Sequence, residues 1–553
     1  MIPRMRAWVI LRWCVALAWL AALGLSLVLP AVGFCLPAWQ APVLPTVLAK
    51  SENGKREQVG AIIHVHLAGD SVSLGYDHGY LLADRIAALE GDLIDTFTTQ
   101  VPTFPARHLL LGLVGFNNRS LINYFQPNEL LEIAAACRAQ DQVGDPWRWL
   151  GPVYQRAVQY HALHDVSQYL IDNPLVRPIQ VGCSAVAIGG QRSRDGHLLV
   201  GRLFDFEGGP RFDFDKVVFT VHPKEGLRFL HVGWAGMTGA VTGLNEAGLW
   251  VSINAAATAG QGFCGRPITM VVRQVLQHCR TIDEAVAILA ATPVFVSDGV
   301  LLASRDEHKV VVVELGPTGC AVRPWVDDVL ISTNHFLHPQ WAGDRANQER
   351  LRRGTTVARS ARLAEICADP AGQDLASVAR ALRDRRGRGG QDIGFGNRST
   401  VNAWIGAHLA VADLDAGVVW VAEPRHGLGI LRAFTVNGPG GAADLPADPE
   451  QERCLHDASV YAAQRDALIH LLRQRQNPQR AFSLGQELLR LNPQSCEAHW
   501  LAGLATTDAK QQRALWEKAL TLQPAYAEDA DALRAALAGT APMAIRAGAG
   551  RNP

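Results

Sequence analysis

The chain has 553 residues, enough for two or three domains and a large buried core, and its 52 Lys+Arg balance its 52 Asp+Glu to a formal net charge of zero. That balance excludes a global field for nucleic acid or anionic membrane, so no nucleic-acid partner is expected. Ten scattered cysteines without a CxxC pair exclude a zinc ribbon or thioredoxin-like site and do not suggest a disulfide scaffold.

Arg4, Arg6 and Arg12 precede an apolar stretch from Trp13 to Leu36. Its 24 residues suffice, as a helix, to span about 30 Å of hydrocarbon. Positive charge on its N-terminal side predicts that this end stays cytoplasmic and the body is exported. A signal-peptidase site is not apparent, since Ala38 and Ala41 are three apart and Pro42 would follow the cut. Residues 1–40 therefore read as an uncleaved signal anchor, with a cleaved signal peptide and a secreted protein as the alternative.

Residues 41–182 read as helix-rich, with a short strand at Ala61–Leu67 and helical apolar spacing over Gly79–Phe97, Pro127–Arg138 and Val153–Ile171. At Cys183 the pattern turns to hairpins. Ser184–Gly189 and His197–Phe206 are joined through Arg194-Asp195-Gly196, then come Val217–Val221 with Arg228–Trp234 and Val241–Leu244 with Leu249–Asn254. Helices over Ile268–Cys279 and Ile282–Leu289 precede the strands Gly299–Ser304 and Lys309–Leu315. Helices near 354–366 and 373–384 precede a last hairpin, Val401–Ala407 with Val418–Ala422. Antiparallel strands with helices between them predict an α+β body of two stacked sheets covered by helices over 183–438.

Pro439–Pro449 reads as a linker, and 451–540 as helical. Leu491-Asn492-Pro493 and Leu522-Gln523-Pro524 end helices 31 residues apart, which resembles tetratricopeptide repeats with their period of about 34. Fewer than three such repeats rarely stand alone, so this segment is expected to pack on the body or on a protein partner. Residues 541–553 read as a disordered tail.

The chemistry concentrates at Gly182-Cys183-Ser184 and at Gly201-Arg202-Leu203-Phe204-Asp205. A two-residue loop at Asp195-Gly196 would place Cys183 opposite about residue 208, with Arg202 and Asp205 a few residues away. A cation beside a thiol lowers its pKa and raises its thiolate fraction. Taken alone, Cys183 reads as a small buried hydrophobe, the usual state of a free cysteine.

Its context resembles the cysteine branch of the N-terminal-nucleophile hydrolases: choloylglycine hydrolases, penicillin V acylases and the acyl-coenzyme A:isopenicillin N acyltransferase group. Cys183 begins a strand, and the following hairpin ends in Gly201-Arg202-Leu203-Phe204-Asp205. Asn245-Glu246-Ala247-Gly248-Leu249 leads along a strand to Asn254, and Thr333-Asn334-His335-Phe336 comes later. Upstream, Gly75-Tyr76-Asp77-His78-Gly79 looks like the acyltransferase propeptide motif, so the resemblance spans about residues 60 to 425.

The resemblance implies a four-layer αββα sandwich and a chain cut between Gly182 and Cys183, leaving a small subunit that ends at Gly182. Cys183 would be the nucleophile and its freed α-amine the general base. An α-amine, with a reference pKa near 8, suits neutral pH better than a lysine. Asp205 would support that amine, Arg202 the thiolate or substrate carbonyl, Asn254 the oxyanion, and Asn334 the leaving group or amine. Each oxyanion donor is worth roughly 3 kcal/mol of barrier. Some 140 residues separate the anchor from Cys183, so autoproteolysis is the natural route. The implied reaction is amide hydrolysis or acyl transfer through a Cys183 thioester, on an acyl-amide, acyl-ester or acyl-thioester substrate, without a cofactor. The alternatives are a phospholipase B-like ester hydrolase and a non-catalytic repeat scaffold with a degenerate hydrolase body.

Arg398, beside Ser399 and Thr400, is a further substrate-binding candidate. The basic run Arg380, Arg383, Arg385, Arg386 and Arg388 reads as a solvated loop or as a cradle for an anionic substrate group. His64-Val65-His66 with Asp77-His78, and His161, His164 and Asp165, have ligand-like spacing. They lack the H-x-H-x-D-H run of metallo-hydrolases, so no metal is expected.

Overall fold

The run Val310-Val311-Val312-Val313 shows how the body is layered. Val311 and Val313 sit in one buried cluster with Ile268, Val272 and Leu289, and Val310 and Val312 in another with Ala185, Val200 and Ala410. A strand apolar on both faces is a strand covered on both faces, and each fully buried side chain of this size contributes about 1.5–3 kcal/mol.

The computed structural model describes residues 39–101, 103–140, 144–171, 182–206, 208–260, 262, 264–369 and 372–540, with Leu17, Trp19, Leu20 and Gly24. In chain order the strands begin with β1 (Lys55–Val59), β2 (Ile62–Gly69), β3 (Ser184–Ile188), β4 (Leu199–Asp205) and β5 (Lys216–Pro223). Next are β6 (Phe229–Trp234), β7 (Thr242–Asn245), β8 (Leu249–Ala256), β9 (Ser297–Ser304) and β10 (Lys309–Gly316). The last are β11 (Gly319–Pro324), β12 (Val329–Ser332), β13 (Gly406–Asp413), β14 (Val418–Ala422), β15 (Leu431–Thr435) and β16 (Gly438–Pro439). One sheet runs β1-β2-β5-β6-β7-β8-β9-β10-β11, the other β12-β3-β4-β13-β14-β15-β16.

Ala185, Ala187, Val200, Ala410 and Val421 of the second sheet pack on Val218, Leu230, Val232, Trp250 and Leu301 of the first. The outer face of the first sheet is covered by helices that include Ile268–His278 and Ile282–Ala291. That of the second is covered by Thr356–Cys367 and Leu375–Leu382 through Leu363, Cys367, Val378 and Leu382. Two sheets between two helical layers make an αββα sandwich.

Several elements differ from the sequence reading. The β3–β4 hairpin pairs Ala185 with Arg202 and Ser184 with Leu203, a register shifted by four residues from that of a two-residue loop at Asp195-Gly196. Its connection instead makes a 3₁₀ turn over Gly190–Arg192 and bridges Ser193 to Gln373. The last hairpin starts at Gly406, because Trp404 takes φ +60°, which no strand residue adopts. The helix expected over Gly79–Phe97 is two, Ser71–Leu81 and Ala83–Gln100, and the one over Val153–Ile171 breaks between Tyr160 and Leu163.

Ser71–Leu81 carries Gly75 and Gly79 against the backbone of Pro127–Gln140. A Cβ at these glycines would lie 2.0 Å from the Glu132 carbonyl oxygen and 2.1 Å from that of Ala136. The motif read from this stretch is thus a helix-packing seam. The stretch Pro439–Pro449 is tied down rather than free, since Leu445 bridges Leu431 and Arg383 donates to the Pro446 carbonyl. Arg383 also donates to the carbonyls of Gly427 and Gly429, and Arg385 pairs with Asp448 and Glu450. These two members of the basic run are structural staples, not an anion cradle.

Helices Gln451–Gln474, Pro478–Leu491, Cys496–Ala505, Ala509–Thr521 and Ala527–Leu537 follow. The segment docks on the body at 391–399: Asn492 Nδ2 donates to the Phe395 carbonyl, Asn397 Nδ2 to that of Gln523, and Ser399 Oγ to that of Ala525. Among the described residues no helix is long and apolar enough to cross a membrane. The anchor expected at Trp13–Leu36 falls almost wholly outside the described residues, as does the tail at 541–553.

Candidate active site

Cys183 leads into β3, and the register of that strand sets Arg202 and Asp205 on the neighbouring β4 to either side of it. The Cys183 thiol is wholly buried, with Arg202 Nη2 3.7 Å from Sγ. Arg202, itself buried, also donates to Thr242 Oγ1 at 2.5 Å and to the Ile253 carbonyl, and its guanidinium lies 4.3 Å from the Phe204 ring centroid. Asp205 is buried beside Gly182, where an added Cβ would stand 3.0 Å from Oδ2.

Sequence reasoning missed Arg359. Its Nη1 donates to the carbonyl oxygens of Gly182 (3.1 Å) and Cys183 (2.6 Å) and to Ser184 Oγ (3.0 Å), while Nη2 donates to Asn334 Oδ1 at 2.6 Å. A signal existed: Arg359, Leu363 and Cys367 share the buried stripe of one helix, where an arginine has no place unless it is paired.

Asn334 and Asn254 are both brought to this corner. Asn334 Nδ2 donates to the Ala255 carbonyl at 2.8 Å, which fixes the amide so that its oxygen faces Arg359. Asn254 Nδ2 donates to the backbone carbonyl (3.1 Å) and Oγ (3.2 Å) of Ser332. Its Oδ1 is buried without a hydrogen-bond partner among the described residues. Arg398 interacts electrostatically with Asp205 and with Tyr526, and Tyr526 interacts with Arg359 as well. The helical segment therefore interacts with Arg359, which contacts the Gly182 and Cys183 carbonyls, and with Arg398, which faces Asp205.

Burial raises the Cys183 thiol pKa, with Arg202 opposing it, so in the uncut chain desolvation outweighs the cation expected to lower it. Burial also pushes the Asp205 carboxyl up to about 7 against Arg359, Arg398 and Arg202, and draws Arg202 down to about 10. Asp205 is thereby brought near its charged–neutral midpoint around neutral pH, as groups in functional sites often are.

A cavity of about 40 Å³ lies behind Phe204, lined by Phe206, Phe212, Trp234, Val241 and His164 among others. It has room for a few water molecules only. Most of the histidines considered as metal ligands are already engaged. His64 meets Glu57 and Thr220, and His66 meets Thr220. His78 Nε2 accepts from the Gly236 amide and His161 Nε2 from the Thr238 amide. His164 differs: with Asp165 and Asp298 it forms a buried group whose ligand atoms lie within 4.8 Å of one another.

A strand-initial cysteine with Arg202 and Asp205 of the adjoining strand to either side, and with the Asn334 amide held by Arg359, is similar to the arrangement expected from the N-terminal-nucleophile resemblance. Residues 192–391 match the family model described as acyl-coenzyme A:6-aminopenicillanic acid acyl-transferase. The chain thus resembles the cysteine N-terminal-nucleophile enzymes of the acyltransferase group.

Protein dcd1B of Dictyostelium discoideum is 24% identical over 271 residues, which are 45% of this chain and 50% of that protein, so the chain spans half the length of this curated relative. Among solved structures, the Caenorhabditis elegans ortholog of N-acylethanolamine-hydrolyzing acid amidase is 18% identical, covering 42% of this chain and 93% of its own at a TM-score of 0.32. Penicillin V acylase from Agrobacterium tumefaciens is 15% identical, covering 46% and 85% at 0.29.

Proposed function

We propose that the chain is an autoproteolytically activated cysteine amidohydrolase or acyltransferase that works through a Cys183 thioester. The observation that carries this reading is the placement of Arg202 on the Cys183 sulfur and Arg359 on the Gly182 carbonyl oxygen, one cation for each atom that must gain negative charge.

In the self-cleavage step Sγ attacks the Gly182 carbonyl carbon, the C–N bond to Cys183 breaks, and the thiol proton passes to the departing nitrogen. Water then hydrolyses the thioester, leaving the Gly182 carboxylate and a Cys183 with both free thiol and free α-amine. In turnover that amine takes the thiol proton, Arg202 supports the thiolate, and Asp205 lies near the cut end to hold the ammonium form. Arg359 and the Ala255 carbonyl fix the Asn334 amide at the corner where the leaving group would depart. Water or an amine as the second nucleophile decides between hydrolysis and acyl transfer.

The aromatic lining behind Phe204 favours an apolar acyl group, and the small cavity means that acyl entry widens it. The apolar N-terminal segment supports an exported, anchored body, and the tetratricopeptide-like helices read as part of that body.

Intact-mass spectrometry of the mature protein treated with a β-lactone tests this reading. The expected result is a fragment beginning at Cys183 that carries the label. A single uncut chain that stays unlabelled at Cys183 overturns it.

A further inference from the structure

Two carboxylates and an imidazole meet in the interior, with the Arg202 cation near enough to Asp298 to interact with it electrostatically. His164 and Asp165 come from helix Leu163–Ile171, which precedes the cut, and Asp298 from β9, which follows it. All three are buried, at 7%, 0% and 1% exposure. His164 Nε2 stands 4.0 Å from Asp298 Oδ1, and one ligand atom from each residue falls within a 4.8 Å group.

Both ring nitrogens of His164, Asp165 Oδ2 and Asp298 Oδ1 lack a hydrogen-bond partner among the described residues. Gln168 adds a separate observation. One turn along the same helix, its Nε2 donates to the carbonyl of Ser297, next to Asp298, and its buried Oε1 also lacks a partner among the described residues. Asp165 Oδ1 is used elsewhere, accepting from the Ile268 amide.

An unpaired buried carboxylate costs several kcal/mol, and two side by side cost more because each repels the other. A positive ion resolves both terms at once. Arg202 interacts with Asp298 electrostatically, but its hydrogen bonds run to Cys183, Thr242, Ile253 and His408, so Asp298 Oδ1 still lacks a donor among the described residues.

We propose that His164, Asp165 and Asp298 form a site for a first-row divalent metal ion. Imidazole with carboxylates suits zinc or manganese rather than calcium or copper(I). Tetrahedral zinc sets neighbouring ligand atoms about 3.4 Å apart, so the 4.0 Å His164–Asp298 separation closes by less than about 1 Å on binding. Because the ligands lie on both sides of Gly182–Cys183, the ion would clamp the two halves of a cut chain. The site stands on these side chains alone and does not depend on Cys183 being a nucleophile.

The test is elemental analysis of full-length protein purified without chelator, followed by Zn²⁺ and Mn²⁺ titration of the stripped protein. About one ion per chain is expected, with Tm rising several degrees on reloading. Asp298→Asn and His164→Gln should each lower metal content at least about tenfold. X-ray absorption on the wild type keeps the proposal testable if the variants do not fold: imidazole plus oxygen ligation supports it, and a sulfur shell overturns it. Stripped wild type that takes up neither ion also overturns it, as do folded variants with undiminished metal.

Discussion

Arg359 Nη1 donates to the Gly182 carbonyl oxygen at 3.1 Å, so a buried cation already polarises the bond whose cleavage would free the Cys183 amine. Arg359→Ala should slow the appearance of the Cys183 fragment about a hundredfold, the usual cost of one oxyanion donor. Arg359→Lys keeps the charge but cannot span Gly182, Cys183, Ser184 and Asn334 together, and should recover only part of the rate. The fraction cut against time on a denaturing gel checks both, and equal rates for all three proteins would remove Arg359 from the mechanism.

Gly182 is required for clearance as well as for reach. The 3.0 Å separation between an added Cβ and Asp205 Oδ2 means that Gly182→Ala displaces the carboxylate. Processing should slow about tenfold or more, the usual cost of a misplaced reacting group. Tm should change little, because the crowded atom ends a side chain.

Asp205 supplies a pH dependence. With its folded pKa raised to about 7 from an ordinary 3.8, the folded chain holds this proton where the unfolded chain has lost it. Its contribution to stability is therefore greatest below pH 3.8 and declines as pH rises toward 7, the sign for a carboxyl whose pKa is raised. Uncut Cys183→Ala protein should show that decline in Tm, and adding Asp205→Asn should flatten it.

Gly75 and Gly79 test packing rather than chemistry. With Cβ positions 2.0 and 2.1 Å from the Glu132 and Ala136 carbonyl oxygens, either Gly→Ala change must push two helices apart. A loss of about 1–3 kcal/mol each is expected in chemical denaturation, against near-zero for Gly343→Ala, where the added atom meets nothing and φ is not positive.

The helical segment should matter to the site. Tyr526→Phe, which removes the hydroxyl interacting with Arg359 and Arg398, is expected to alter KM or labelling rate severalfold while leaving Tm within about 2 °C. An unchanged rate would confine the segment to structural support.

The hairpin order and the Cys183–Arg202–Asp205 grouping were legible because short-range pairing carries them: turn residues and alternation suffice to place β3 beside β4. The register was not, since the bridge from Ser193 to Gln373 that lengthens the turn is a long-range contact. Arg359 escaped notice for a related reason. Its four acceptors come from distant segments, and nothing nearby in sequence announces them. Asn254 was found by position, but the direction of its amide is set by Ser332 and could not be read from its own strand. The sign of the Cys183 shift depended on depth of burial, which local charge pattern does not report.

The hairpin β1–β2 lies upstream of the proposed cut, yet β2 runs parallel to β5 from Ile63 opposite Val217 to Gly69 opposite Pro223. Severing Gly182 from Cys183 would accordingly nick the molecule without dividing it. Two polypeptides would migrate as one particle in sedimentation and part only in denaturant. Maturation would then be silent to any assay of size in native buffer.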